Sequence, residues 1–471
     1  TSSIALMQNA TLFTTIVTCM ASGLAAQGLQ FGPQQLLASP TAPLALASAD
    51  MNSDGLPDVL IKSSSALDCL LNNGPLGFTT VTVPAGTGNS SYGDVVVADL
   101  NGDGILDLAS SQGGTIYWNA NDGNANFSQR VTIGSGNAIA DIEAADIDGD
   151  GDVDLLYVSS NTNSSDSIAW YENLGFGFWG QKHVIWPSIP NVSAVEAADL
   201  DNDGDLDVIT ASETADNIRY WRNDGTGNFT QNGLVGGLDN PTDLAITDID
   251  GDGYVDVIAS GRTGSGQDIV RWWPSMNSGT GFGSQVPAAF AGGSGLTTAF
   301  SAVIGDVDMN GDPDVLYTSS GNGVDISTNL GSSPSPTGVG AGGGIGGLPS
   351  AAIFVDFDDD GDPDVVFASE SSGSVFLSKN LFTIPVTSTA TAYGIGCGSP
   401  PLTFTPTSTA IIGQGMTAEV TNTPTPFSVV AFGNSNTSMP GIGTLPFDLT
   451  TPRRESRLLP SVQRRTGSKS V

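Results

Sequence analysis

The 471-residue chain has a single histidine, His183, and only three cysteines, Cys19, Cys69 and Cys397. One imidazole rules out a zinc site built from paired histidines on one segment. It also leaves one candidate for a histidine-dependent triad, and the plainer reading puts His183 in an outer strand. Cys19 falls in a leader-like stretch, so two distant thiols remain, too few for a disulfide framework. Lysine and arginine are scarce, 14 against 49 acidic residues, for a net charge of −35. Such a surface repels nucleic acid and anionic membranes, whose binders need basic patches. Beyond residue 26 no apolar run is long enough to span a bilayer.

What the chain has in excess is aspartate in a fixed phrase. Its third copy reads Asp146-Ile147-Asp148-Gly149-Asp150-Gly151-Asp152-Val153-Asp154. The seven copies begin at Asp50, Asp99, Asp146, Asp199, Asp248, Asp306 and Asp356. The third position holds Asn52, Asn101, Asp148, Asp201, Asp250, Asp308 and Asp358. The fifth holds Asp54, Asp103, Asp150, Asp203, Asp252, Asn310 and Asp360. The ninth holds Asp58, Asp107, Asp154, Asp207, Asp256, Asp314 and Asp364. Of the 49 acidic residues, 30 lie inside these phrases, so the acidity is local rather than that of a disordered tail. Oxygens at alternate positions of a tight loop converge on one point, and calcium takes six to eight oxygen ligands. Glycine at position six permits the sharp turn, and position seven offers its backbone carbonyl. A lone copy reads equally as a solvated turn. Seven in register point to metal, up to seven calcium ions.

The repeat from Ala98 to Leu108, Ala-Asp-Leu-Asn-Gly-Asp-Gly-Ile-Leu-Asp-Leu, resembles the FG-GAP or VCBS repeat. The resemblance covers roughly residues 29–383. It implies a seven-bladed β-propeller like that of integrin α chains, with calcium in the loops and ligands at positions one, three, five and nine.

The residues support the same plan independently. Length alone suggests about three domains, but one repeat cannot bury a core without its neighbours. In one unit an apolar strand (Val195 to Ala198) enters the loop and a second (Asp207 to Ser212) leaves it. A third carries aromatics (Ile218 to Trp221), Asn223-Asp224-Gly225 turns the chain, and Phe229 opens a fourth. Four short strands in about 50 residues make one propeller blade. Small residues before the loop (Ala49, Ala98, Ala145, Ala198) suit crowding at the axis, with Gly305 and Val355 departing from the rule. Third-strand aromatics such as Trp170, Tyr171, Tyr220, Trp221, Trp272 and Trp273 serve either inter-blade packing or a sugar-stacking platform. The glycine-rich run 337–347 predicts a poorly paired outer edge in the sixth blade. The phrase Phe31-Gly32-Pro33-Gln34-Gln35-Leu36-Leu37 reads as a fourth strand with no blade in front of it, so residues 30–37 are predicted to complete the seventh blade.

The expected fold class is all-β: a seven-bladed β-propeller with four-stranded blades over residues 27–383, plus a small C-terminal β module. Residues 1–26 read as a signal peptide, with Met7 the natural start and cleavage near Ala25 or Ala26. A lipobox ending at Cys19 fits poorly because of Thr18. Residues 384–450 form the Thr/Pro-rich module, with strands expected at Ala418–Val420 and Phe427–Phe432. Residues 451–471 hold six of the 14 basic residues and read as a disordered basic tail or an altered gene end.

Together these features predict a secreted or extracellular protein, a monomer, with surface association as a variant. Its role would be to bind a glycan or protein ligand without catalysis. The alternatives are a calcium-dependent polysaccharide lyase on the same scaffold, or a structural cell-surface protein. A lyase needs a base beside the sugar. The cations in the repeats, Lys62, Arg130, Lys182, Arg219, Arg222, Arg262, Arg271 and Lys379, do not form an evident set. No catalytic residue is assigned.

Overall fold

The computed structural model describes residues 29–381 apart from 75–76, 85–92, 137, 160–167, 237, 263–267, 277–280, 291–298, 320–322, 329–336 and 341–348. It also describes the strands Thr403–Pro406, Ala418–Thr421 and Arg464–Thr466. Seven antiparallel sheets form the blades of a propeller, with no α-helix among the described residues. Their inner strands are Pro43–Ala49, Val95–Ala98, Ile139–Ala145, Val192–Ala198, Asp239–Thr247, Ala299–Gly305 and Pro349–Val355. In six blades the strand order follows the chain. Blade three shows the plan: Ile139–Ala145, Asp154–Ser159, Ile168–Asn173 and Trp179–Trp186. Each acidic phrase joins an inner strand to a second, so that Ala145 pairs with Asp154.

The core lies between blades. On the third strand of blade four, Tyr220 and Trp221 point to opposite faces, as alternation requires. Tyr220 packs with Trp273 and Val257 of blade five, and Trp221 with Trp170 and Leu156 of blade three. All of these aromatics are buried, so inter-blade packing is their role and no sugar can stack on them. Truncating a buried tryptophan of this kind costs about 3–5 kcal/mol.

The ring closes as the N-terminal phrase predicts. Gln35–Ala38 pairs antiparallel with Ser374–Ser378, Gln35 opposite Leu377 and Leu36 opposite Phe376. Phe31 bridges to Asn380, and Gly32 N donates to Lys379 O at 2.8 Å. Phe127 and Phe282 bridge the same way to Asn121 and Ser275. There the fourth strands proper begin only at Val131 and Val286, later than the phenylalanine suggested. In blade six the glycine-rich run 337–347 is described only over 337–340. Thr337–Gly340 pairs with Gly323–Thr328, giving a short fourth strand, because backbone pairing needs no side chains. Beyond the propeller, Thr403–Pro406 pairs with Ala418–Thr421, and Arg464–Thr466 pairs with the inner strand of blade one. The leader, Phe427–Phe432 and the rest of the tail lie outside the described residues. No described helix is long and apolar enough to cross a membrane.

Candidate metal centres

The first aspartate of each phrase folds the loop around itself. Asp146 Oδ1 accepts the N–H groups of Gly149 at 2.9 Å and Asp150 at 3.1 Å, and its Oδ2 accepts that of Gly151 at 3.0 Å. The bond from first position to sixth recurs in the other six loops, at Asp50, Asp99, Asp199, Asp248, Asp306 and Asp356. Gly151 takes a φ of 99° with nothing within 4 Å of an added Cβ, so conformation rather than space demands glycine there. Position four is also left-handed. Ser53, Asn202, Met309 and Asp359 adopt φ near 60° there, a strain the phrase did not reveal.

The ninth aspartate has a second task. Asp154 is fully buried; its Oδ2 accepts from Ile147 N at 2.9 Å and its Oδ1 from Asn173 N at 2.8 Å. It thus latches the loop to the end of the third strand. Asp58, Asp256 and Asp364 make the same pair of bonds, while Asp107 takes Asn121 N and Trp118 Nε1. Burial pushes these carboxyls up against the pull of the amides, to about 6 for Asp58, Asp107 and Asp256 and about 7 for Asp154, Asp207 and Asp364.

Carboxylate oxygens converge within 4.8 Å in five loops. The trios are Asp146, Asp148 and Asp154; Asp248, Asp250 and Asp256; and Asp306, Asp308 and Asp314. In two loops the fifth position joins instead of the ninth: Asp199, Asp201 and Asp203, and Asp356, Asp358 and Asp360. No such trio forms around Asp50, Asp54 and Asp58 or Asp99, Asp103 and Asp107, where Asn52 and Asn101 replace the middle carboxylate. In loop four, Asp201 Oδ1 and Asp207 Oδ2 are buried with no hydrogen-bond donor. Crowded, desolvated carboxylates with orphaned oxygens fit an oxygen-loving divalent cation.

Six spans match the FG-GAP-like repeat: residues 50–110, 108–157, 148–210, 199–259, 248–317 and 306–367. The chain belongs to the FG-GAP-like repeat family. FG-GAP repeats thus occupy well over half of it. No curated protein matches the chain. Among solved structures it is similar to an Agrocybe aegerita lectin described as recognising non-reducing terminal N-acetylglucosamine. That match has 18% identity and a TM-score of 0.48 over 73% of this chain and 91% of the lectin. It is also similar to BBS1N, crystallised in complex with ARL6DN, at 12% identity and a TM-score of 0.51 over 75% of this chain and 96% of that one. At such identities the likeness shows the fold alone.

Two features of the FG-GAP loops escaped the sequence reading. Asparagines closing the third strands reach the preceding blade: Asn72 Nδ2 donates to Phe357 O, Asn121 to Met51 O, Asn173 to Leu100 O, Asn223 to Ile147 O and Asn380 to Val307 O, all at 2.7–2.9 Å. The signal was present, since Asn recurs at that place, but it reads locally as a turn residue. The other feature is charge beside the loops. Arg222 pairs with Asp201 and Lys379 with Asp358. His183 lies on the outer strand of blade three, stacked on Trp170 at 4.4 Å and 3.3 Å from Glu172, as its plain reading has it. Cys69 is a free, buried thiol, pushed up by burial.

Proposed function

We propose that the FG-GAP loops bind calcium, up to one ion each, through the residues at positions one, three, five and nine. The metals hold the rim of an extracellular binding propeller. The observation that carries this is the convergence of carboxylate oxygens to within 4.8 Å in five loops, with Asp201 Oδ1 of the loop-four trio buried without a donor. Calcium when bound would neutralise these groups, while the chain's own amides keep the loops in shape. Calcium sites with dissociation constants of about 0.1–1 mM suit extracellular modules, the setting implied by the leader read at residues 1–26. Withdrawal of calcium with a chelator should lower the melting temperature sharply, and magnesium should rescue poorly because it demands tighter octahedral geometry. An unchanged melt in chelator would overturn the reading.

The ligand is a glycan or protein that meets the loop face at blade three. The hairpin after Asn173 carries Leu174, Phe176 and Phe178, which are 53%, 86% and 68% exposed. Its counterpart in blade four is the polar Asp224-Gly225-Thr226. Phe176 holds a φ of 54°, unusual for an aromatic residue. Exposed apolar groups in a cluster mark contact surfaces. A glycan array in excess calcium, run beside a reducing-end release assay on the same polysaccharides, tests binding against lyase activity. Phe176→Ser with Phe178→Ser should abolish binding and leave the melt unchanged. Retained binding would move the site elsewhere.

A further inference from the structure

The third strand of each blade presents one residue to its FG-GAP loop, and that residue differs in charge from blade to blade. Its place is fixed by register. The pairs Leu155–Tyr171, Val208–Trp221 and Val365–Ser378 put Glu172, Arg222 and Lys379 immediately afterwards. The same register puts Leu71, Ala120, Pro274 and Thr328 there in blades one, two, five and six.

Arg222 Nη1 lies 2.7 Å from Asp201 Oδ2, and Lys379 Nζ lies 2.6 Å from Asp358 Oδ2. Both acceptors are third-position carboxylates, the expected ligands of loops four and seven. These two loops are also the ones whose converging oxygens come from positions one, three and five; in loops three, five and six the ninth position takes part. Two independent observations therefore set loops four and seven apart. An ammonium or guanidinium on a carboxylate occupies lone pairs and cancels charge that a metal would use. Glu172, at the same place in blade three, has the opposite sign and reaches His183 at 3.3 Å.

We propose that Arg222 and Lys379 are built-in counter-cations that weaken calcium binding at loops four and seven. Loops four and seven keep their shape at low calcium by pairing internally. This grading rests on the calcium reading above.

Equilibrium dialysis with radioactive calcium on the full chain tests it. The wild-type isotherm should be heterogeneous, with loops four and seven among its weak sites. Arg222→Gln and Lys379→Gln should each convert one of them into a tighter site by roughly tenfold, since the pairs are partly exposed and screened. A second readout excludes a merely structural role. In chelator the Arg222 and Lys379 variants should melt no higher than wild type, whereas in saturating calcium they should melt higher. Seven equivalent sites, or weak sites unmoved by the substitutions, would overturn the proposal while leaving calcium binding intact. Absence of any bound calcium would remove the calcium reading itself.

Discussion

Replacing Asp154 and Asp150 separately by alanine distinguishes a residue that holds the fold from one that only meets metal. Both stand in the loop from Asp146 to Asp154. Asp154 accepts two buried backbone N–H groups, at 2.9 and 2.8 Å. Asp150 accepts only the exposed Asp152 N–H, at 2.9 Å. An unsatisfied buried donor costs about 1–3 kcal/mol, so Asp154→Ala should lose roughly 2–6 kcal/mol without any metal. Asp150→Ala should lose less than about 1 kcal/mol in chelator, because water replaces its one contact. On the proposed calcium reading both variants forfeit the contribution of their loop, about 2.7 kcal/mol at a hundredfold excess over the dissociation constant. The assay is urea unfolding followed by tryptophan fluorescence, since Trp170 and Trp221 are buried at the junction of blades three and four. The two variants should differ in chelator and keep that same difference in calcium. If Asp154→Ala is no worse than Asp150→Ala in chelator, the latch argument fails.

Other outcomes follow from the same geometry. Ninth-position carboxyls held at about 6–7 in the metal-free fold, against an ordinary value of ~4, make the folded chain bind more protons than the unfolded one. Stability in chelator should therefore fall as pH rises from ~4 through ~7, and calcium, which needs the ionised form, should flatten or reverse that slope in a calorimetric pH series. Removing residues 1–38 strips the outer strand from blade seven, exposes the pairing edge of Ser374–Ser378, and should lower the melting temperature and promote dimers or aggregates on a sizing column. On calcium withdrawal followed by dialysis, the loop with Asp148 at its third position should release its ion after the loop with Asn52, because Asp148 is charged.

The blades, their order and the closing strand were legible because each rests on a repeated local signal: the acidic phrase, the aromatic third strand, and a phenylalanine such as Phe229 at the start of the fourth. The acidic clusters were legible as a pattern. What stayed hidden depends on register between strands. Nothing in the order of residues says that Arg222 faces Asp201 rather than solvent, or that Asn173 spans two blades. Aromatic alternation showed two faces but could not say that both are buried, because that depends on the neighbouring blade. The short fourth strand of blade six was hidden for another reason, since Thr337–Gly340 pairs through a backbone that carries no hydrophobic pattern.

The asparagines that reach across blades give the ring a grain. Each takes hold of the loop behind it while its own N–H is held by the aspartate of its own loop. A disturbance in one loop is thus handed forward along the chain, from blade six through the closure to blade four. At blade five the equivalent residue is Ser275, whose hydroxyl turns back to Met276 O, and the exposed Asn202 reaches Gly253 O at 3.2 Å instead. Among the described residues the relay is interrupted where four meets five. A protease added at falling calcium should find its first cut there, far from the seam where the two ends of the chain were joined.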